Sequence, residues 1–217
     1  MHPAAFGCIL TWSPNRALRV TGTMDQTATV ASEPAVTVRP SRDADVEAML
    51  AIYRWHIRRG VEEGADTSGV PEPDDLRDRR KNLRNQRLPH LVATRNGEVV
   101  GYAYVVLFRK RPAYRYTVKH SIYVHHDSVG HGIGKLLLQA LIDACAAAGF
   151  RQMIGYIDAD NAGSLKLHEK FGFARVGHLP AVAFRYGRWA DTVMVQRSLG
   201  AGATAPPPPV SAGRSAL

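Results

Sequence analysis

Three glycines at alternate positions, in Gly130-His131-Gly132-Ile133-Gly134, stand between a strand-like run and an amphipathic helix. Of all the features in the chain, this one restricts the fold most. Glycines so placed let backbone N–H groups approach an anion with no side chain in the way. The helix that follows adds unpaired amides and a partial positive charge. Before the glycines, Ser121-Ile122-Tyr123-Val124 reads as a strand; after them Ile133, Leu137, Leu141, Cys145 and Ala148 recur at helical spacing until Gly149. A pyrophosphate is the natural guest of such a unit. Two common phosphate loops do not fit. A dinucleotide loop needs its third glycine where Lys135 stands, and a Walker A loop needs glycine at Val129 and Ser or Thr at Leu136. On these few residues a purely structural turn stays open beside the anion site.

The remaining pattern alternates between strand and helix signals. Val36 and Val38 alternate as a first strand that stops at Pro40. Ser41 or Asp43 is the expected cap of a helix with apolar residues at Val46, Met49, Leu50, Tyr53 and Ile57. A second, very basic helix follows Pro73, with Asp74 and Asp75 in its first turn. Leu91-Val92-Ala93 and residues 99–108 flank Asn96-Gly97, a hairpin turn, and a third run spans residues 114–124. Residues 153–157 read as a buried strand and residues 161–171 as a short helix closed by Gly172. Residues 173–184 and 189–199 form a last antiparallel pair, turning at Tyr186-Gly187-Arg188. The order β-α-α-β-β-β-α-β-α-β-β makes an α+β domain with a mixed sheet.

A chain of 217 residues, 45% hydrophobic and 22% charged, can bury one core and is neither collagen-like, coiled-coil nor wholly disordered. No apolar stretch reaches the roughly 20 residues of a membrane span. Cys8 and Cys145 are too few for a disulfide framework, so a reduced, cytoplasmic setting is expected. A net charge of +9 favours a polyanionic partner without choosing between nucleic acid, a membrane surface and a small molecule. Residues 1–35 show no sustained period, and residues 200–217 hold four consecutive prolines among Ala, Gly and Ser. An N-terminal extension and a disordered tail are therefore expected around a domain of residues 36–199.

Asn161, Ser164 and His168 share one helical face, and Phe171-Gly172-Phe173 leads into the final hairpin. Ordered with them are Leu91-Val92-Ala93, Gly101-Tyr102-Ala103-Tyr104, Pro112-Ala113-Tyr114-Arg115-Tyr116-Thr117-Val118, Gly149-Phe150-Arg151-Gln152-Met153-Ile154 and Gly187-Arg188-Trp189. On these motifs the chain resembles the GCN5-related N-acetyltransferase (GNAT) superfamily, in its phosphinothricin and methionine sulfone acetyltransferase branch. The resemblance implies a mixed, mostly antiparallel sheet of about seven strands flanked by four helices. A V-shaped split between the central strands would hold acetyl-CoA as cosubstrate. It implies cofactor contacts from the main chain of Ile122, Tyr123 and Val124, and from Asn161. The loop of Gly130, His131, Gly132, Ile133, Gly134 and Lys135 would hold the pyrophosphate. The family loop opens with Arg or Gln where this chain has Val129. No metal is implied, and His125 and His126 have no third ligand at regular spacing.

The chemistry implied by the resemblance is direct transfer, in which a neutral amine attacks the thioester carbonyl and a thiolate leaves. An amine of ordinary pKa near ~10 must first lose a proton. The Val124 N–H is the expected donor to the carbonyl oxygen. His168 is the expected catalytic group, with a satisfied core histidine as the competing reading. The branch carries a catalytic Glu four residues before the Tyr of Ser-x-Tyr-Val; here Lys119 stands there, followed by His120. Three accounts stay open: Lys119 made neutral by burial, His120, His125 or a water relay in its stead, or Lys119 gripping a carboxylate or phosphinate of the acceptor. The acceptor is expected to be an amino-acid-like primary amine met by Tyr114, Tyr116, Phe184, Arg188 and Trp189, with Glu62 and Glu63 near its ammonium. The expected assembly is a cytoplasmic homodimer, with neither nucleic acid nor membrane as partner. Two rivals remain. One is an acetyl-CoA-binding sensor with weak catalysis; the other is a basic nucleic-acid module, since residues 108–116 interleave bases with aromatics.

Overall fold

The structure, a computed structural model, describes residues 35–58, 72–185 and 187–207. The expectations for residues 1–34, Glu62, Glu63, Tyr186 and residues 208–217 lie outside these. Seven strands and four helices follow the expected order: β1 (Thr37–Pro40), α1 (Val46–Arg58), α2 (Pro73–Asn85), β2 (His90–Arg95), β3 (Glu98–Leu107), β4 (Thr117–Val124), α3 (Ile133–Ala147), β5 (Gln152–Asp158), α4 (Ala162–Lys170), β6 (Ala174–Arg185) and β7 (Arg188–Ser198). They make one mixed sheet in the order β1-β2-β3-β4-β5-β7-β6. Only β4 and β5 run parallel; every other neighbouring pair is antiparallel.

Local chemistry explains where the elements begin. The β2–β3 hairpin turns at Asn96 and Gly97, both at positive φ (52° and 85°), the conformation of a tight two-residue turn. Pro73 opens α2, and Asp75 reaches back to the Glu72 amide at 2.9 Å. Neither Ser41 nor Asp43 caps the first helical segment, contrary to expectation. Asp45 accepts the Arg42 N–H at 2.7 Å, because the Arg39 guanidinium grips its two oxygens at 2.7 and 2.8 Å. Ser41 instead donates its amide to the His90 carbonyl, and Asp43 pairs with the buried Arg80. Nor does the third strand start at residue 114. Pro112 opens a 3-10 turn through Tyr114, and β4 begins at Thr117.

Two apolar layers cover the sheet. On one face α3 buries Ile133, Leu137, Leu138, Leu141, Ile142 and Cys145 against β2, β3, β4 and β5, with Leu165 of α4 and Phe173. On the other, Val46, Met49, Leu50 and Ile52 of α1 and Leu76 of α2 cover Val92 and Tyr102. Each such side chain contributes roughly 1.5–3 kcal/mol of burial. The two layers hold both faces of β4, the strand on which the candidate site is built.

Candidate active site

Pairing between β4 and β5 lasts three rungs, Thr117–Gln152, Val118–Met153 and Lys119–Ile154. Beyond them β4 continues to Val124 and β5 to Asp158. The neighbouring ladders decide which groups line the resulting split. Phe108 donates to the Thr117 carbonyl and His125 to the Val100 carbonyl. In this register Lys119, Ser121 and Tyr123 exchange their main-chain bonds with β3. The main-chain groups of His120, Ile122 and Val124 consequently turn toward β5. On the opposite bank, Leu199 donates to Arg151 and Ala159 to Asp191, so Tyr156 and Asp158 turn theirs toward β4.

The main-chain groups of Ile122 and Val124 therefore face the split. Tyr123 is a correction: the two-residue period spends its main-chain groups on Tyr102 and sends its ring to the α1 face, beside Tyr53. The Val124 carbonyl is engaged by His56 Nε2 at 2.9 Å, which leaves the Val124 N–H on the split side.

At the open end of β4 a short turn, His126–Ser128, leads to the glycine loop. Gly130 and Gly132 both take left-handed φ values, 88° and 76°. A Cβ at either would meet nothing within 4 Å, so glycine is needed there for backbone conformation and not for packing. Gly134 differs, because a Cβ there would come within 3.3 Å of Leu167 of α4. Leu136 is the first residue of α3 whose N–H reaches a carbonyl, that of Gly132 at 3.1 Å. Among the described residues, no amide from 130 to 135 donates to a backbone carbonyl. Gly130, His131, Gly132 and Lys135 are exposed, while Ile133 anchors the loop in the core. Unspent amides at a helix start fit a diphosphate.

The closed end of the split is lined by imidazoles. His120 and His168 stack with centroids 5.0 Å apart and planes at 14°, and the edge of Phe173 meets both. His168 Nδ1 donates to the Ser164 carbonyl at 2.7 Å. Its Nε2 is therefore the lone-pair nitrogen; it is buried and, among the described residues, without a partner, as are both nitrogens of His120. Burial lowers the pKa of His168, partly offset by the bond to Ser164. Burial, with the adjacent His168, pushes His120 down to about 3. The His120 ring lies across onto β5, where a Cβ on Gly155 would stand 2.7 Å from its Nε2. Asn161 caps α4 by accepting the Ser164 amide at 3.0 Å.

The expected acceptor residues do not converge. Tyr114 and Tyr116 precede β4 at the paired end of the sheet, where the Tyr116 carbonyl receives the amides of Arg151 and Gln152. Tyr114 packs edge-on against Phe108, with the Arg109 guanidinium 5.9 Å from its centroid. This aromatic and basic run closes on itself. Phe184 and Trp189 make an exposed edge-to-face pair near the tip of the last hairpin. Arg188 is held by Asp160 at 2.5 Å, beside the start of α4 and at the open end of the split. Lys119 is half-buried, with its Nζ 5.6 Å from the centre of the Tyr156 ring.

Sequence reasoning missed His56, Tyr104 and Tyr156, which line the α1 face of the split or bond its wall. The run Tyr53-x-Trp55-His56 was the available signal. It also missed Asp127, which joins His125 and His126 so that their candidate ligand atoms lie within 4.8 Å. The two rings stack at 4.2 Å and 26°, and His125 Nδ1 accepts the Asp127 amide at 3.3 Å.

Known proteins with this arrangement agree with it. Residues 49–173 match the model of the acetyltransferase (GNAT) family. A phosphinothricin N-acetyltransferase of Alcaligenes faecalis is 44% identical over 80% of this chain and 87% of its own. An L-methionine sulfoximine/L-methionine sulfone acetyltransferase of Pseudomonas aeruginosa is 36% identical over 79% and 99%. Among solved structures, a GNAT superfamily phosphinothricin acetyltransferase from Sinorhizobium meliloti in complex with AcCoA superposes with a TM-score of 0.76 at 37% identity, over 82% of this chain and 96% of that one. With a sheet split at its one parallel pair and unspent amides at the start of α3, the chain belongs to the GNAT family and is an N-acetyltransferase that uses acetyl-CoA.

Proposed function

We propose that the protein moves the acetyl group of acetyl-CoA to the primary amine of a small amino-acid-like acceptor. The observation that carries this is the three-rung parallel pair, which leaves main-chain donors and acceptors of both strands facing one gap. The acceptors named in the relatives, phosphinothricin and methionine sulfoximine or sulfone, support the amino-acid class. In this reading the amides from Gly130 to Lys135 and the start of α3 hold the diphosphate. Main-chain groups of Ile122 and Val124, with Asn161, hold the rest of the cosubstrate, which supplies an activated thioester. The Val124 N–H polarises the carbonyl oxygen, a fixed donor in a site shielded from water. His168 acts as base and then acid. Its neutral Nε2 takes the surplus proton of the amine as the carbon–nitrogen bond forms, and returns it to sulfur as the carbon–sulfur bond breaks. His120 holds the His168 ring in place.

We also propose a homodimer in the cytoplasm. The exposed apolar residues Val176, Val182, Phe184 and Trp189 of β6 and β7 support an interface, and the free, buried Cys145 suits a reducing compartment. Among the described residues no helix is long and apolar enough to cross a membrane.

An acetylation assay over methionine sulfone, phosphinothricin, other amino acids and polyamines, read by thiol release from acetyl-CoA, tests the reading. Turnover with an amino-acid-like amine is expected. Tight acetyl-CoA binding with no turnover on any amine would leave a sensor in place of an enzyme.

A further inference from the structure

Lys119 occupies the last paired rung of β4, at the point where the split opens. Strand alternation puts its side chain on the face that carries Ser121 and Tyr123, opposite to the face where His120 meets His168. Among the described residues the Lys119 ammonium has no hydrogen bond and no ion pair; its neighbour is the Tyr156 ring, itself 43% exposed. A neutral ring face holds an ammonium loosely compared with a carboxylate. Asp158 shares this face on β5 but lies four residues beyond Ile154, about 13 Å along the strand. Between Lys119 and the α1 layer the face is built of neutral hydroxyls. Tyr123 bonds Ser121 and Tyr104; burial, with the Tyr104 and Tyr53 phenols, raises its pKa against a lowering by the Ser121 hydroxyl, so it stays a phenol. Among the described residues the α1 side of the split thus carries the Lys119 ammonium, a row of hydroxyls and the His56 imidazole on the Val124 carbonyl, where an acceptor approaches the thioester.

We propose that Lys119 binds the acid group of the acceptor and thereby selects amines that carry a carboxylate, or a like anion, a few bonds from the nucleophilic nitrogen. This rests on the reading of the split as the acetyl-transfer site and names the acceptor class for it. The carboxylate replaces the Tyr156 ring as the partner of the ammonium and is held by a charge-assisted hydrogen bond. Ser121 and the tyrosine hydroxyls receive the remaining polar groups. Lys119 therefore holds substrate and takes no proton.

The test compares L-methionine sulfone with its carboxamide, two acceptors that differ in the charge next to the amine. Kinetics are measured for the wild type, Lys119→Gln and Lys119→Arg, together with calorimetric acetyl-CoA affinity. The wild type is expected to prefer the carboxylate at least tenfold in kcat/KM, mainly through KM. Lys119→Gln is expected to bring that preference close to one, with the carboxamide rate and acetyl-CoA affinity changed less than threefold. Lys119→Arg is expected to keep most of it. Preference retained in Lys119→Gln, or both acceptors impaired equally, overturns the proposal. Should Lys119→Gln fail to fold, the wild-type preference and Lys119→Arg still decide, because an equal rate on the two acceptors by wild-type protein also overturns it. Wild-type protein that binds acetyl-CoA and acetylates no amine would defeat the underlying reading instead, which keeps the two failures apart.

Discussion

His168 offers a single free nitrogen to the proposed reaction. Its Nδ1 proton is committed to the Ser164 carbonyl and burial lowers its pKa, so in that reaction Nε2 would accept before it donates. Replacing it with Phe keeps the stack on His120 and the contact with Phe173 but removes that nitrogen. Turnover is expected to fall by about 10²–10⁴-fold, the usual worth of a positioned base, while acetyl-CoA affinity stays within threefold. Steady-state kinetics beside calorimetry separate the two, and unchanged kcat would make His168 a packing residue. The sequence already carried this residue, because Asn161, Ser164 and His168 at helical spacing bring a cap, a carbonyl and an imidazole onto one face. What it did not carry was the stack on His120. That contact joins β4 to α4 across the sheet and needs Gly155 to stay bare, which no local pattern encodes.

Among the elements, the loop that starts α3 makes the sharpest prediction. Gly132 combines a left-handed backbone with an open approach. Gly132→Ala adds only the cost of that conformation, about 1–2 kcal/mol for a residue with a Cβ. Gly132→Asp adds a negative charge at the amides that would face a diphosphate. Acetyl-CoA binding is expected to weaken at least a hundredfold in the aspartate variant and much less in the alanine one. Equal losses measured by calorimetry would mean that the loop binds no anion. At this scale the hairpin at Asn96-Gly97, the glycine stops after α3 and α4, and the order of all eleven elements were legible, because turn chemistry and periodicity are local. The Arg42–Asp45 cap was not, since it depends on Arg39 reaching over from β1. The split itself was known only through family resemblance: its length is set by where β4 and β5 stop pairing, a contact between strands that α3 separates in sequence.

Across the whole molecule, three buried imidazoles tie stability to pH. Burial, reinforced by Arg80, pushes His90 down to about 4, and burial pushes His120 down to about 3 and lowers His168. In the unfolded chain each returns to about 6.5. Between those values the unfolded state binds protons that the native state refuses, so acid favours unfolding. Stability should be flat above pH ~7.5 and decline as pH falls from ~6.5 toward 4, with each site contributing up to about 1.4 kcal/mol per pH unit. Carboxylates titrate lower, so the interval from ~6.5 to ~5 reports mainly on the three imidazoles. His120→Phe, which keeps a ring against His168, should make the decline shallower by the share of one site. Urea midpoints at pH 8, 6 and 5 for both proteins measure this directly. Identical slopes would mean that the His120 ring takes up a proton in the native state, and hence that the closed end of the split admits water.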